Sequence, residues 1–126
     1  MQKNPFITID GRRIGLDEPP YMIAEISANH NGKLSNAIRL IDEARLAGSD
    51  AVKLQTYRPD TMTIDCDNDD FNISGGLWDG KTLYQLYEEA HMPWEWHETL
   101  FQHALNVGIT IFSTPFDNSS IDFLED

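Results

Sequence analysis

Three side chains with chemistry sit where strand interiors would carry only hydrocarbon: Glu25 within residues 21–27 (YMIAEIS), and Lys53 and Gln55 within residues 50–56 (DAVKLQT). An isolated carboxylate or ammonium is costly to bury, so such groups lie inside a fold only when paired with each other or committed to a ligand. Side chains alternate along a strand, which puts Glu25 on a face with Ile23 and Ser27, and Lys53 on a face with Ala51 and Gln55. The opposite faces, Met22, Ala24 and Ile26, then Val52, Leu54 and Thr56, suit packing under helices. On neighbouring strands about 4.8 Å apart, an acid, an amine and an amide would converge. The lysine offers a fixed positive charge for a carboxylate or phosphate, or a desolvated amine for a Schiff base, and the charge role is preferred. Glu25 could hold Lys53 in place, act as a general base or orient a water on a metal. The residues leave these open, together with a purely structural ion pair.

The elements that must position these groups follow from spacing. Residues 6–9, the Asp10-Gly11 turn and residues 12–14 read as a short β-hairpin, since Asp-Gly supplies the positive φ angles of a tight turn. Its apolar residues are expected to cover one end of a larger core. Pro19-Pro20 breaks the chain before the first buried strand. The loop Asn29-His30-Asn31-Gly32 follows that strand, and Leu34, Ala37, Ile38, Ile41 and Ala44 then recur at helical spacing until Gly48. Strand, helix and strand make a right-handed βαβ crossover with helices on the outer face of a parallel sheet. Residues 57–81, rich in Asp, Asn and Gly, lack periodicity and far exceed the usual 2–6 residue connection. They leave the carboxyl end of a strand, where parallel α/β folds bind ligands, so a substrate cover is expected there. Helices are predicted over 82–90 and 93–106, the latter closed near Gly108. A third strand spans 109–114 (ITIFST), and Asp117 or Asn118 caps a further helix.

No GxGxxG or GxxxxGK[ST] turn follows the first strand, which argues against a doubly wound sheet. The expected fold is α/β: the first three βα units of a (β/α)₈ TIM barrel, preceded by a hairpin. Residues 1–20 form the hairpin and lead-in, and residues 21–126 the units. A closed barrel needs about 250 residues, so the chain is expected to be an incomplete barrel, a fragment or a truncated gene product.

The 126 residues carry 9 Lys and Arg against 21 Asp and Glu, a formal net charge of −12. Such a field repels phosphate backbones and anionic lipid, which argues against nucleic acid and membrane partners. No run of about 18 apolar residues or signal-like amino terminus is present, and Cys66 is alone, so a cytoplasmic protein without disulfides is expected. Thr114, with Ser113 beside it, offers a hydroxyl at the carboxyl end of the third strand. His30 and Asn29 lie in the first loop on the same side, and His30 is a candidate proton shuttle or substrate contact. His91, His97 and His103 are spaced six apart, which is not the spacing of a helical metal pair; surface positions are expected for them.

The stretch AEISANHNGKLSNAIRLIDEARLAGSDAVKLQTY (24–57), followed by IFSTPFD (111–117), resembles the sialic acid (N-acetylneuraminate) synthase family. The segment GGLWDGKTLYQLYEEAHMPWEWH (75–97), and Ser27-Ala28 before the Asn-His-Asn-Gly loop, are similar to its pseudaminic acid synthase branch. The resemblance implies a TIM barrel followed by a small antifreeze-like domain, in a domain-swapped homodimer. It implies condensation of phosphoenolpyruvate with an N-acylated amino sugar, giving a nine-carbon 2-keto acid and phosphate, with a divalent metal, Mn²⁺ or Mg²⁺. By the same resemblance Lys53 and Thr114 bind phosphoenolpyruvate, Gln55 contacts the sugar or the enolpyruvate, and Glu25 lies near the metal and its water. The metal ligands themselves are expected beyond Asp126, and the 126-residue chain alone is expected to be inactive. A non-catalytic sugar-binding or assembly module is the alternative of another class.

Overall fold

The computed structural model describes residues 4–126. A hairpin of β1 (Phe6–Ile9) and β2 (Arg12–Gly15) precedes a parallel sheet of β3 (Ile23–Glu25), β4 (Ala51–Thr56) and β5 (Thr110–Pro115), ordered β3-β4-β5. Helices α1 (Leu34–Leu46), α2 (Pro59–Met62), α3 (Leu83–Ala90), α4 (His97–Val107) and α5 (Asn118–Glu125) fill the connections and the end of the chain.

β4 is the central strand, and its alternation organises the core. Val52, Leu54 and Thr56 are wholly buried and point to the helices. Around Val52 and Leu54 pack Ile26, Ala37 and Ile41 of the first βα unit, and Leu100, Ala104 and Ile109 of the later one. The apolar spacing from Leu34 is realised in α1, which buries Ala37, Ile41 and Ala44 and stops before Gly48 at φ +86°. His103 Nε2 and Asp42 Oδ1, 2.7 Å apart, join α4 to α1.

α4 ends at Gly108, whose left-handed backbone (φ +72°) returns its N–H to Ala104 and Leu105 and starts β5. An L side chain pays about 1–2 kcal/mol in that conformation. Gly108→Ala is therefore expected to lower unfolding stability by about that amount in urea titration, with no steric contribution because nothing lies within 4 Å of an added Cβ.

Several sequence expectations are refined. The proline-led helix starts as a 3₁₀ turn, Trp94–Trp96, and becomes α-helical only at His97. The long connection is not featureless: it contains α2, a 3₁₀ turn at Asp69–Phe71 and a bridge between Asn72 and Thr82. Asp117 is the cap of α5, its Oδ1 accepting from the Ser120 N–H at 3.1 Å. The Ser119 hydroxyl first, and the Ser120 N–H, hydrogen-bond that carboxylate and hold its pKa down to about 2 against the opposing effect of desolvation.

The hairpin departs from expectation. Asp10 and Gly11 both take positive φ in the turn, as Asp-Gly requires, but Phe6, Ile7 and Ile9 remain exposed in this chain. Polar contacts latch the hairpin instead. Thr110 Oγ1 donates to Asp10 Oδ2 at 2.9 Å, and Arg12 pairs with Asp50 while donating to the Pro20 carbonyl at 3.0 Å. The hairpin thus grips β4 and β5 at their amino ends, opposite the candidate site.

Candidate functional site at the carboxyl ends of the strands

The parallel register brings the charged residues level. Glu25 is the partner of Lys53, Lys53 of Phe112, and Gln55 of Thr114. Glu25, Lys53, Gln55, Phe112 and Thr114 therefore share the face away from the helices, with Gln55 and Thr114 one step nearer the carboxyl ends. Lys53 Nζ lies 2.7 Å from Glu25 Oε2. Glu25 Oε1 accepts the Ser27 N–H at 3.1 Å, and Ser27 holds a left-handed backbone (φ +50°) immediately beyond the strand.

The pair is more open than the alternation implied. The Lys53 and Glu25 side chains are 34% and 35% exposed, because no element among the described residues covers this face of the sheet. Among the described residues the ion pair lies on an uncovered sheet face.

The first loop behaves differently from expectation. His30 is wholly buried, packed edge-on against Trp96 at 5.4 Å, and its Nδ1 accepts the Gly32 N–H at 3.0 Å. Burial pushes its pKa below the usual histidine value; the Ala90 carbonyl opposes this without a hydrogen bond of normal geometry, and the neighbouring His91 ring adds to it. The ring is thus held by packing and by the Gly32 N–H, and no hydrogen bond among the described residues joins it to Glu25 or Lys53. Asn29 is exposed, and its amide donates to the Ile26 carbonyl at 3.0 Å, closing the loop on itself. Across that loop the long connection places Leu77, Trp78 and Lys81 opposite Ala28, Asn31 and Gly32, around a cleft of about 260 Å³.

Two further residues move. Ser113 faces the helices, unlike Thr114, and its Oγ lies 2.6 Å from Thr56 Oγ1. Thr56 Oγ1 also lies 2.7 Å from Nε2 of His97, which is 4% exposed and not at the surface. His97 Nδ1 lies 3.1 Å from the Trp94 carbonyl, and Trp94 Nε1 donates to the Tyr57 carbonyl at 3.1 Å. The six-residue histidine spacing hides this burial. The available signal is Thr56 itself, since a hydroxyl on the helix-facing side of a strand needs a partner.

Burial lowers the pKa of His97, against the carbonyls of Trp94 and Pro93 that favour its charged form. For His30 and His97 alike the folded value lies below the unfolded one of about 6.5, so the unfolded chain takes up protons first on acidification. Stability is accordingly complete above about pH 6.5 and falls as pH drops toward the folded values. Urea midpoints of the intact protein between pH 7.5 and 5 should show this decline, and His97→Gln should flatten it.

Among the described residues no three His, Cys, Asp or Glu side chains come together as a metal site. Among the same residues no helix is long and apolar enough to cross a membrane.

A parallel α/β sheet carries a lysine–carboxylate pair, an amide and a hydroxyl on one bare face at its carboxyl ends, the end at which open α/β sheets as a class bind their ligands. The model of the NeuB family matches residues 40–126, and the chain belongs to that family. It is 50% identical over 109 residues to the pseudaminic acid synthase of Campylobacter jejuni strain 81-176, covering 86% of this chain and 32% of that protein. The pseudaminic acid synthase of Helicobacter pylori is 44% identical over 108 residues, with the same coverage of each chain. Among solved structures, the N-acetylneuraminic acid synthetase of Leptospira borgpetersenii in complex with citrate aligns with a TM-score of 0.77 at 28% identity, over 97% of this chain and 38% of that one. The chain spans about a third of the length of the curated relatives it matches.

Proposed function

We propose that this chain is the amino-terminal part of a (β/α)₈ synthase domain that condenses phosphoenolpyruvate with an N-acylated amino sugar. The product is a nine-carbon 2-keto acid, with inorganic phosphate released. The favoured sugar is the 2,4-diacetamido-trideoxy-altrose that leads to pseudaminic acid, because the 50% and 44% identical relatives carry that name. The observation that carries the reading is the Lys53–Glu25 pair level on adjacent parallel strands, with Gln55 and Thr114 level one step beyond.

Energetics support a binding role. A salt bridge about one-third exposed contributes at most about 1 kcal/mol to stability. That is a weak reason to place two charges on a β-sheet face, whereas an anionic substrate gives a strong one. In this reading the Lys53 ammonium and the Thr114 hydroxyl hold phosphoenolpyruvate, and the Gln55 amide contacts the sugar or the enolpyruvate. Glu25 keeps the lysine aimed and stands beside the reacting groups as the candidate catalytic carboxylate. Charge fixed before reaction spares reorganisation when charge develops. One ammonium does not neutralise a phosphate ester, so further cationic groups belong to the complete site. A divalent metal, Mn²⁺ or Mg²⁺, is part of the reading, but the described residues form no ligand set for it, so no step is derived through it here. A homodimer completes the proposal.

The test is phosphate release by the intact protein from phosphoenolpyruvate with either the diacetamido sugar or N-acetylmannosamine. Release with the former at the higher kcat/KM is expected. Release with neither would overturn the synthase reading, and preference for N-acetylmannosamine would overturn the sugar assignment.

A further inference from the structure

The buried hydrogen-bond chain behind the sheet has a direction that its end fixes. The Trp94 carbonyl can only accept, so the neutral His97 ring carries its proton on Nδ1 and donates it there. Nε2 is then an acceptor, and the Thr56 hydroxyl must donate to it. With its single proton spent, Thr56 Oγ1 can only accept from Ser113 Oγ–H. The chain thus runs from Ser113 on β5 through Thr56 on β4 to His97 at the start of α4. Each donor has one acceptor. Thr56 and Ser113 are the chain neighbours of Gln55 and Thr114, which occupy the opposite face at the same level. Around His97 the packing is aromatic: Phe101 of its own helix lies 6.5 Å away and Phe123 of α5 5.2 Å away, ring centre to ring centre.

We infer that His97 is a positioning residue, which through the Thr56 and Ser113 hydroxyls sets the relative placement of Gln55 and Thr114 at the substrate face. This rests on the proposed reading of those two residues. Strand ladders fix the register, but the last residues of β4 and β5 have little beyond them: after the ladder, only the Phe116 N–H to Thr56 carbonyl bond at 3.2 Å continues the pairing. The hydroxyl chain adds a side-chain clamp where the backbone pairing runs out. A misplacement of about 1 Å in a binding group can cost about a hundredfold in rate.

The experiment uses the intact protein with phosphoenolpyruvate and the diacetamido sugar. Thr56→Val keeps the β-branched shape and removes the hydroxyl, and is expected to lower kcat/KM by about ten- to a hundredfold. Thr56→Ser restores the donor and should return the rate to within about twofold, which a loss of packing alone would not do. The ¹⁵N shifts of His97 should report the Nδ1–H tautomer in the parent and in Thr56→Ser. Full activity in folded Thr56→Val, or an Nε2–H tautomer in the parent, would overturn the inference. If Thr56→Val does not fold, Ser113→Ala takes its place, and unchanged kcat/KM there would overturn it equally. Gln55→Ala and Thr114→Ala separate the two claims: if neither lowers activity, the proposed site fails, whereas if both do and the Thr56 and Ser113 variants do not, only the positioning role fails.

Discussion

Lys53→Ala in the intact protein is expected to reduce kcat/KM for phosphoenolpyruvate by about 2–4 kcal/mol of transition-state stabilisation, the loss typical of a preorganised electrostatic group. The lysine is held at 2.7 Å by Glu25, which shares its level in the sheet, so its charge is in place before any substrate arrives. Removing it also leaves Glu25 with a single structural donor, the Ser27 N–H. Within the described residues the pair is about one-third exposed, and pairs so placed contribute little to folding. A large rate effect with an unshifted unfolding midpoint is therefore the signature. Steady-state phosphate release, read beside urea titration, measures both. A non-catalytic binding or assembly module predicts the reverse, with function intact in Lys53→Ala, and that result would remove the synthase reading.

Leu54→Ala is expected to have the largest effect on stability. Leu54 stands between Lys53 and Gln55 in the chain but points the other way, wholly buried against α1 and α4 in the one continuous apolar cluster. Truncation of such a leucine costs about 2–5 kcal/mol, the spread reflecting how far the surroundings close on the cavity. Neither neighbouring helix can easily follow, since both are tied by the His103–Asp42 contact and by the Gly108 turn. Denaturant unfolding of the intact protein would read the loss directly; a change below about 1 kcal/mol would show that β4 is not the centre of the core.

How much of this was visible in the amino acids depends on the range of the interaction. Alternation in YMIAEIS and DAVKLQT put Glu25, Lys53 and Gln55 on one face because side-chain direction in a strand is a local property. Helix α1 was legible for the same reason, through Leu34, Ala37, Ile38, Ile41 and Ala44 and the stop at Gly48. Register was not. That Lys53 meets Glu25 and that Gln55 meets Thr114 is decided by the packing of two helices over β4, which no local pattern encodes.

Histidines show the same limit more sharply. His30 has polar neighbours in sequence and reads as a candidate proton shuttle or substrate contact in a loop, yet it is wholly buried, with Trp96, distant in the chain, packed against it. His97 is buried because its hydrogen-bond partner Thr56 comes from another element. Ser113 and Thr114 differ by a single position and therefore face opposite sides of the sheet, the Ser113 hydroxyl toward Thr56 and the Thr114 side chain on the bare face. The hairpin was recognised from Asp10-Gly11, but its polar latch to Asp50 and Thr110 depends on strand ends that only the tertiary fold brings near.

The pairing of β5 with β4 also closes a longer stretch of chain than that of β3 with β4. Ile23 and Ala51 are joined across one short crossover, whereas Ala51 and Thr110 are separated by roughly twice as much chain. Each doubling of a loop adds about 0.6 kcal/mol to the entropy of closing it, and irregular segments such as the one before α3 gain little along the way. Bringing Thr114 beside Gln55 therefore costs about 0.6 kcal/mol more closure entropy than bringing Lys53 beside Glu25, so the charged half of the surface rests on the shorter closure and the neutral half on the longer one.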